Sequence, residues 1–137
     1  MSTRLKAKQE KILQILNMLV AESAEGTPII VEGKKDVDAL RGFGVEGVVV
    51  TVKTGGKSFL DVVSEIEQVG TEAVVLFLDF DRRGREGTIC LQKHFERVKI
   101  KANLSFWRAL LALVGKELQC IEGLGAYMET LRLKIGL

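Results

Sequence analysis

Two cysteines, one proline, one histidine, one tryptophan and one tyrosine are all that 137 residues contain of these types. Cys90 and Cys120 have no metal-ligand spacing and fall in stretches expected to be helical. With no secretory segment at the N-terminus, they are expected to be free thiols in a reducing cytoplasm. His94 has no second histidine beside which to build a metal site and is expected at a surface or boundary. Tyr127 lies in a C-terminal helical stretch, away from any motif, and is no candidate nucleophile. No uncharged stretch approaches the roughly 20 apolar residues that span a bilayer, so a membrane protein is excluded. An excess of one charge is missing too: 20 basic and 18 acidic residues leave a net charge of +2. Contact with nucleic acid would therefore need local clusters of Lys and Arg. Internal repeats and Pro/Gly-rich linkers are also absent, which leaves one domain.

What remains is an ordinary globular composition, 47% apolar and 28% charged, large enough to bury about two-thirds of its unfolded surface. Its most informative stretch is residues 74–87, Val-Val-Leu-Phe-Leu-Asp-Phe-Asp-Arg-Arg-Gly-Arg-Glu-Gly. The apolar run reads as a strand over 73–80, buried on both faces as in a parallel sheet. Period two puts Asp79 and Asp81 on one face and Phe80 on the other. Two carboxylates so close repel unless a cation sits between them, and hard cations such as Mg²⁺ take one or two carboxylates with phosphate and water. The plain alternative is a turn with two solvated aspartates.

A second apolar strand, 28–32, also ends in an acid, within Val31-Glu32-Gly33-Lys34-Lys35-Asp36. Ligands in open α/β sheets bind outside the carboxyl ends of the strands, where Glu32 and the two aspartates would meet. Glu-Gly after one strand and Asp-x-Asp after a later one resembles the Toprim domain of topoisomerases, primases and certain nucleases. Residues 31–36 and 77–84 resemble the small stand-alone Toprim proteins typical of archaea. They are also similar to the Toprim ribonuclease that matures 5S ribosomal RNA. The resemblance is firm over 27–101 and loose over the C-terminal segment.

The remaining segments fit an α/β alternation. Residues 3–25 read as a helix with Leu5, Ile12, Leu16, Leu19 and Val20 on one face, stopped by Gly26-Thr27-Pro28. Helices are expected over 35–43, 59–69, 85–97 and 106–115, and strands over 48–53 and 98–102. Leu60, Val63, Ile66 and Val69 mark the buried face of the third helix, and Ile89, Leu91, His94 and Phe95 surround the fourth. Thr54-Gly55-Gly56-Lys57-Ser58 is no Walker loop, because position 51 is Thr rather than Gly. Ser58 is instead expected to cap the third helix, with Asp61 completing a capping box. Asn103-Leu104-Ser105 caps a helix whose Trp107 and leucines read as core; Glu122 reads as a helix-start acid. The expected architecture is α/β: a Rossmann-like, four-stranded parallel sheet in the order 2-1-3-4, with helices on both faces and extra N- and C-terminal helices. The resemblance makes this a Toprim core over 27–101.

Asp79 and Asp81 are the expected metal ligands. The resemblance gives Glu32 a general acid–base role together with metal contact, and implies Mg²⁺, as one or two ions, with Mn²⁺ able to substitute. Lys34, Lys35, Lys57, Arg82, Arg83 and Arg85 would rim the acids and attract phosphates. The expected function is Mg²⁺-dependent action on nucleic-acid phosphodiesters, RNA ahead of DNA, in the cytoplasm alongside ribosomal or RNA-processing proteins. The alternative is a non-catalytic, metal-dependent module that binds nucleic acid or ribonucleoprotein. A receiver domain lacks its acidic pair and lysine here, and a haloacid-dehalogenase-type phosphatase would not carry Arg83 two residues after Asp81. A topoisomerase or primase needs further domains.

Overall fold

The computed structural model describes residues 3–53 and 56–136, so Thr54 and Gly55 of the glycine turn lie outside the described residues. In chain order the elements are α1 (Thr3–Ala24), β1 (Ile29–Val31), α2 (Lys34–Gly42), β2 (Val49–Thr51) and α3 (Phe59–Val69). They continue with β3 (Ala73–Leu76), α4 (Arg82–Arg97), β4 (Lys101–Asn103) and α5 (Ser105–Val114). A 3-10 turn, Ile121–Gly123, then leads into α6 (Leu124–Gly136). The four strands form one parallel sheet in the order β2-β1-β3-β4. That is the order the shared acid site demands.

Period-two alternation decides which helices cover which face. Ile29, Val31, Val75 and Phe77 meet α1 through Ile12, Leu16 and Leu19, and α5 through Trp107 and Leu110. Ile30, Val74, Leu76 and Leu78 meet α3 through Val62, Val63 and Ile66, and α4 through Leu91 and Phe95. Each such side chain, fully buried, stabilises the fold by roughly 1.5–3 kcal/mol. The two strands that carry the acids are therefore its best-anchored part. Outside the sheet, α1 packs on α5 and α6. No helix among the described residues is long and apolar enough to cross a membrane.

Several boundaries differ from expectation, each for a local reason. The β3 ladder stops at Leu76, although residues 74–80 are all buried. Phe77 N–H still donates to Ile30 O at 2.8 Å, but Phe80 N–H donates instead to Gln119 O at 2.7 Å. Helix α4 begins at Arg82, not Arg85, because the Asp81 side chain accepts from Gly84 N–H and caps it. Strand β4 is shifted to 101–103, since Lys99 adopts φ 62° and the chain is still turning there. On α3 the buried stripe runs through Val62, Val63 and Ile66. Leu60 is rotated off it and Val69 stands at the helix end, leaving them 65% and 44% exposed. Ile89 of α4 is likewise exposed. Cys120 lies outside any helix, just before the 3-10 turn. Ser58 behaves as expected, accepting from Asp61 N–H at 3.2 Å while Asp61 accepts from Ser58 N–H at 2.9 Å.

Candidate metal centre and its cationic surroundings

The carboxyl ends of β1 and β3 open on a cavity of about 330 Å³. Glu32, Asp79 and Asp81 line it together, but Asp79 and Asp81 lie beyond the β3 ladder, Asp81 as the N-cap of α4. The turn between β3 and α4, rather than strand alternation, therefore brings them here. Two further carboxylates line it that the sequence had not assigned: Asp36, in the first turn of α2, and Glu122, in the 3-10 turn. Cys120 borders the same space. Glu32, Asp36 and Asp79 are buried at 6%, 4% and 6% exposure, deep enough for each carboxylate to feel the others.

The chain between β3 and α4 is held by groups from outside the sheet. Trp107 Nε1–H donates to Leu78 O at 2.9 Å, and Ile121 N–H donates to Asp79 Oδ1 at 3.1 Å. Arg85 Nε–H donates to Phe80 O at 2.7 Å, and Gly84 N–H donates to Asp81 Oδ1 at 2.8 Å. Gly84 is needed for a steric reason: a Cβ there would collide with the backbone carbonyl of Asp79. The site thus depends on the first turn of α4 packing directly against the backbone of one of its acids.

The electrostatics follow from this crowding. Burial, followed by the carboxylates of Asp36, Glu32 and Asp81, pushes Asp79 from 3.8 up to about 6, against the opposing Ile121 N–H. Burial also pushes Asp36 up, and the Glu122 carboxylate adds to it. The Gly33 N–H and the nearby Glu122 amide work against that rise, yet Asp36 Oδ1 keeps no hydrogen-bond partner, because Gly33 N–H is bonded to Oδ2. A buried, unpartnered carboxylate oxygen costs roughly 1–3 kcal/mol or more. The Cys120 thiol is pushed up by burial and then by Asp79, Glu122, Asp81 and Asp36, which keeps it protonated.

Among the described residues, no three His, Cys, Asp or Glu side chains stand close enough together to hold a metal ion as they are placed. The donors are all carboxylate oxygens around an open space, with one oxygen orphaned. That set suits a hard cation which keeps much of its water and takes only one or two carboxylates. Asp79 and Asp81 would hold such an ion, with Glu32 beside it.

The expected cations divide into groups. Lys34 and Lys35 line the acidic cavity. Lys57 and Arg83 line a neighbouring cavity that also borders Glu32. Arg82 is exposed and pairs with Glu86 at 3.0 Å. Arg85 lines a separate groove with Arg4, Lys8 and Lys116. One cation was missed. Lys53, at the end of β2, donates its backbone N–H to Glu32 O at 2.9 Å and holds its Nζ 3.5 Å from Glu32 Oε2. The carboxyl-end rule that singled out Glu32 applies equally to Lys53.

No family model matches the chain. A UPF0292 protein of Methanosarcina barkeri is 35% identical over 127 residues, spanning 93% of this chain and 87% of the relative. A UPF0292 protein of Methanocaldococcus jannaschii is 35% identical over 121 residues, spanning 88% and 91% respectively. Among solved structures, a putative protein from Aquifex aeolicus superimposes with a TM-score of 0.66 at 27% identity, covering 80% of this chain and 94% of that one. With relatives this similar aligned over nearly their whole length, the chain belongs to the UPF0292 family.

Proposed function

We propose that this UPF0292 protein is a Toprim-type protein that acts on nucleic-acid phosphodiesters with Mg²⁺, RNA ahead of DNA. The observation that carries the reading is the convergence of Glu32, Asp36, Asp79, Asp81 and Glu122 on one cavity, with Asp36 Oδ1 unpartnered inside it. Uncompensated, the three buried carboxylates Glu32, Asp36 and Asp79, with the less buried Asp81 and the exposed Glu122 beside them, are costly, and a divalent cation removes that cost. When bound, the ion would neutralise charge on a phosphate oxygen and orient it. Asp79 and Asp81 would hold it, and Mn²⁺ would serve in its place. Glu32, buried but beside the cationic Lys53, takes or gives the proton of the attacking or leaving oxygen. Lys34 and Lys35 draw the negatively charged backbone to a crevice whose carboxylates alone would repel it. The preference for RNA rests on the resemblance of residues 31–36 and 77–84 to the 5S-maturing ribonuclease, and with it the expected setting among RNA-processing or ribosomal proteins in the cytoplasm.

A second reading, a metal-dependent binding module, is favoured by the tie of Glu32 to Lys53, which engages the carboxylate that would have to move the proton. The test is incubation with labelled structured RNA and single-stranded DNA, in Mg²⁺, Mn²⁺ or chelator. Metal-dependent cleavage of the RNA supports the enzyme. Metal-dependent retention without cleavage supports the module, and no metal dependence of either kind sinks both.

A further inference from the structure

Glu32 and Lys53 also line a second cavity, of about 200 Å³, whose walls include none of Asp36, Asp79, Asp81 or Glu122. Its character is opposite. Lys53, Lys57 and Arg83 face one lining carboxylate, Glu32, over apolar wall contributed by Phe59 and Leu78. Lys57 is fixed in place, its Nζ 2.7 Å from Glu65 and 3.1 Å from Thr51 O. Lys53 is held only loosely, at 3.5 Å from Glu32. The exposed Arg83 guanidinium has no ion pair or hydrogen bond among the described residues. Glu65 and Glu32 each answer one lysine, which leaves the Arg83 charge uncompensated at this space, and an anion placed beside it offsets that charge. The volume is several times the roughly 30 Å³ of a water molecule. A guanidinium fork suits phosphate, and the half-buried Phe59 offers an apolar wall for a sugar or base edge.

We propose that this cavity is a metal-independent subsite for the phosphate of a nucleotide, gripped by Arg83, Lys57 and Lys53 on the cationic side of Glu32. A phosphate bound there competes with Glu32 for Lys53, so that filling the subsite loosens the Lys53–Glu32 ion pair. Its assignment to a nucleic-acid ligand rests on the function proposed above; its independence of metal does not.

The experiment is calorimetric titration of the full chain in EDTA with adenosine 5′-monophosphate, adenosine and inorganic phosphate. Wild type is expected to bind the nucleotide, and adenosine at least about tenfold more weakly. Arg83→Gln and Lys57→Gln should each weaken nucleotide binding by about tenfold, the loss expected for one charge-assisted contact. Arg132→Gln, on an exposed helix face where the arginine pairs with Glu129, should leave it within about twofold. No nucleotide binding in EDTA, or Arg83→Gln binding like wild type, overturns the subsite. Adenosine binding as tightly as the nucleotide overturns the phosphate assignment, and inorganic phosphate binding as tightly as the nucleotide overturns the nucleotide assignment. A Mg²⁺-induced shift in melting temperature is measured alongside. A shift without nucleotide binding removes the subsite alone, and nucleotide binding without a shift removes the metal reading alone.

Discussion

Replacing Asp79 with asparagine should make the metal-free protein more stable at neutral pH. Asp79 is held at about 6 in the folded chain, against 3.8 ordinarily, by burial and by the carboxylates around it. A group whose folded value is raised binds its proton more tightly in the native state. Its stabilising contribution is therefore complete below about pH 4 and lost as pH rises through about 6. At 1.36 kcal/mol per pH unit, a gap of about two units corresponds to about 3 kcal/mol lost by pH 7.5. An amide at this position carries no charge, and its carbonyl oxygen can still accept from Ile121 N–H, so the support from the 3-10 turn is kept. Allowing for relaxation of the crowded acids, the variant should gain about 2 kcal/mol at pH 7.5, roughly 7 °C in melting temperature. The measurement is urea unfolding of both proteins in EDTA at pH 4.5, 6 and 7.5. The gap should widen with pH and shrink to about a third of its full size at pH 4.5. Saturating Mg²⁺ should then reverse the order, since at a hundred times its dissociation constant it adds about 2.7 kcal/mol to wild type only. An asparagine variant less stable than wild type at pH 7.5 in EDTA would refute the argument, as would an unchanged gap across the three pH values.

Gly84→Ala should cost at least about 3 kcal/mol and abolish Mg²⁺-induced stabilisation, because the added Cβ strikes the Asp79 carbonyl; thermal melts with and without metal report both effects. Ser58→Ala removes the cap of α3 and should lower stability by about 1 kcal/mol, read from chemical unfolding, with metal response intact. Neutralising Lys34 or Lys35 should reduce the slope of log affinity for RNA against log salt by about one, while Arg82→Gln, already paired with Glu86, should leave the slope unchanged. Glu32→Gln should bind RNA at least as well as wild type yet lose cleavage at least about a hundredfold at saturating Mg²⁺; restoration of full activity by metal alone would reduce Glu32 to a ligand.

Much of the fold was legible because its signals are local. Val74-Val75-Leu76-Phe77-Leu78 and Ile29-Ile30-Val31 announce strands buried on both faces; all eight are buried, although the β3 ladder itself stops at Leu76. Requiring acids from two strands to meet then fixed the strand order without any long-range information. The errors at α4 have a single origin. Asp81-Arg82-Arg83-Gly84 reads as a basic turn, because glycine weakens helices and aspartate looked committed to metal. Asp81 instead caps the helix while also lining the cavity, and Gly84 sits inside the first turn because the Asp79 backbone leaves no room for a side chain. One residue serving two purposes hides the purpose that sequence patterns usually reveal. Asp36 also serves twice: it accepts from Gly33 N–H at the start of α2 through Oδ2, while it lines the cavity with Oδ1 unpartnered.

Glu122 was illegible for a different reason. Nothing around Cys120-Ile121-Glu122-Gly123 marks a site, and its position follows from tertiary packing. The docking of α5 and α6 against α1 sets where the intervening chain must cross. That crossing brings Gln119 O to Phe80 N–H and Ile121 N–H to Asp79 Oδ1, so the segment meets the acids by bonding to the backbone and side chain beside them. The β3 ladder has already ended at Leu76, so residues 78–80 need partners from elsewhere, and Trp107 and the 119–121 segment supply them. The C-terminal helices therefore belong to the acid site physically, although their sequence carries none of its motif. A chain ending before Gln119 would leave Phe80 N–H and Asp79 without these bonds, and the geometry of the acidic cavity would go with them.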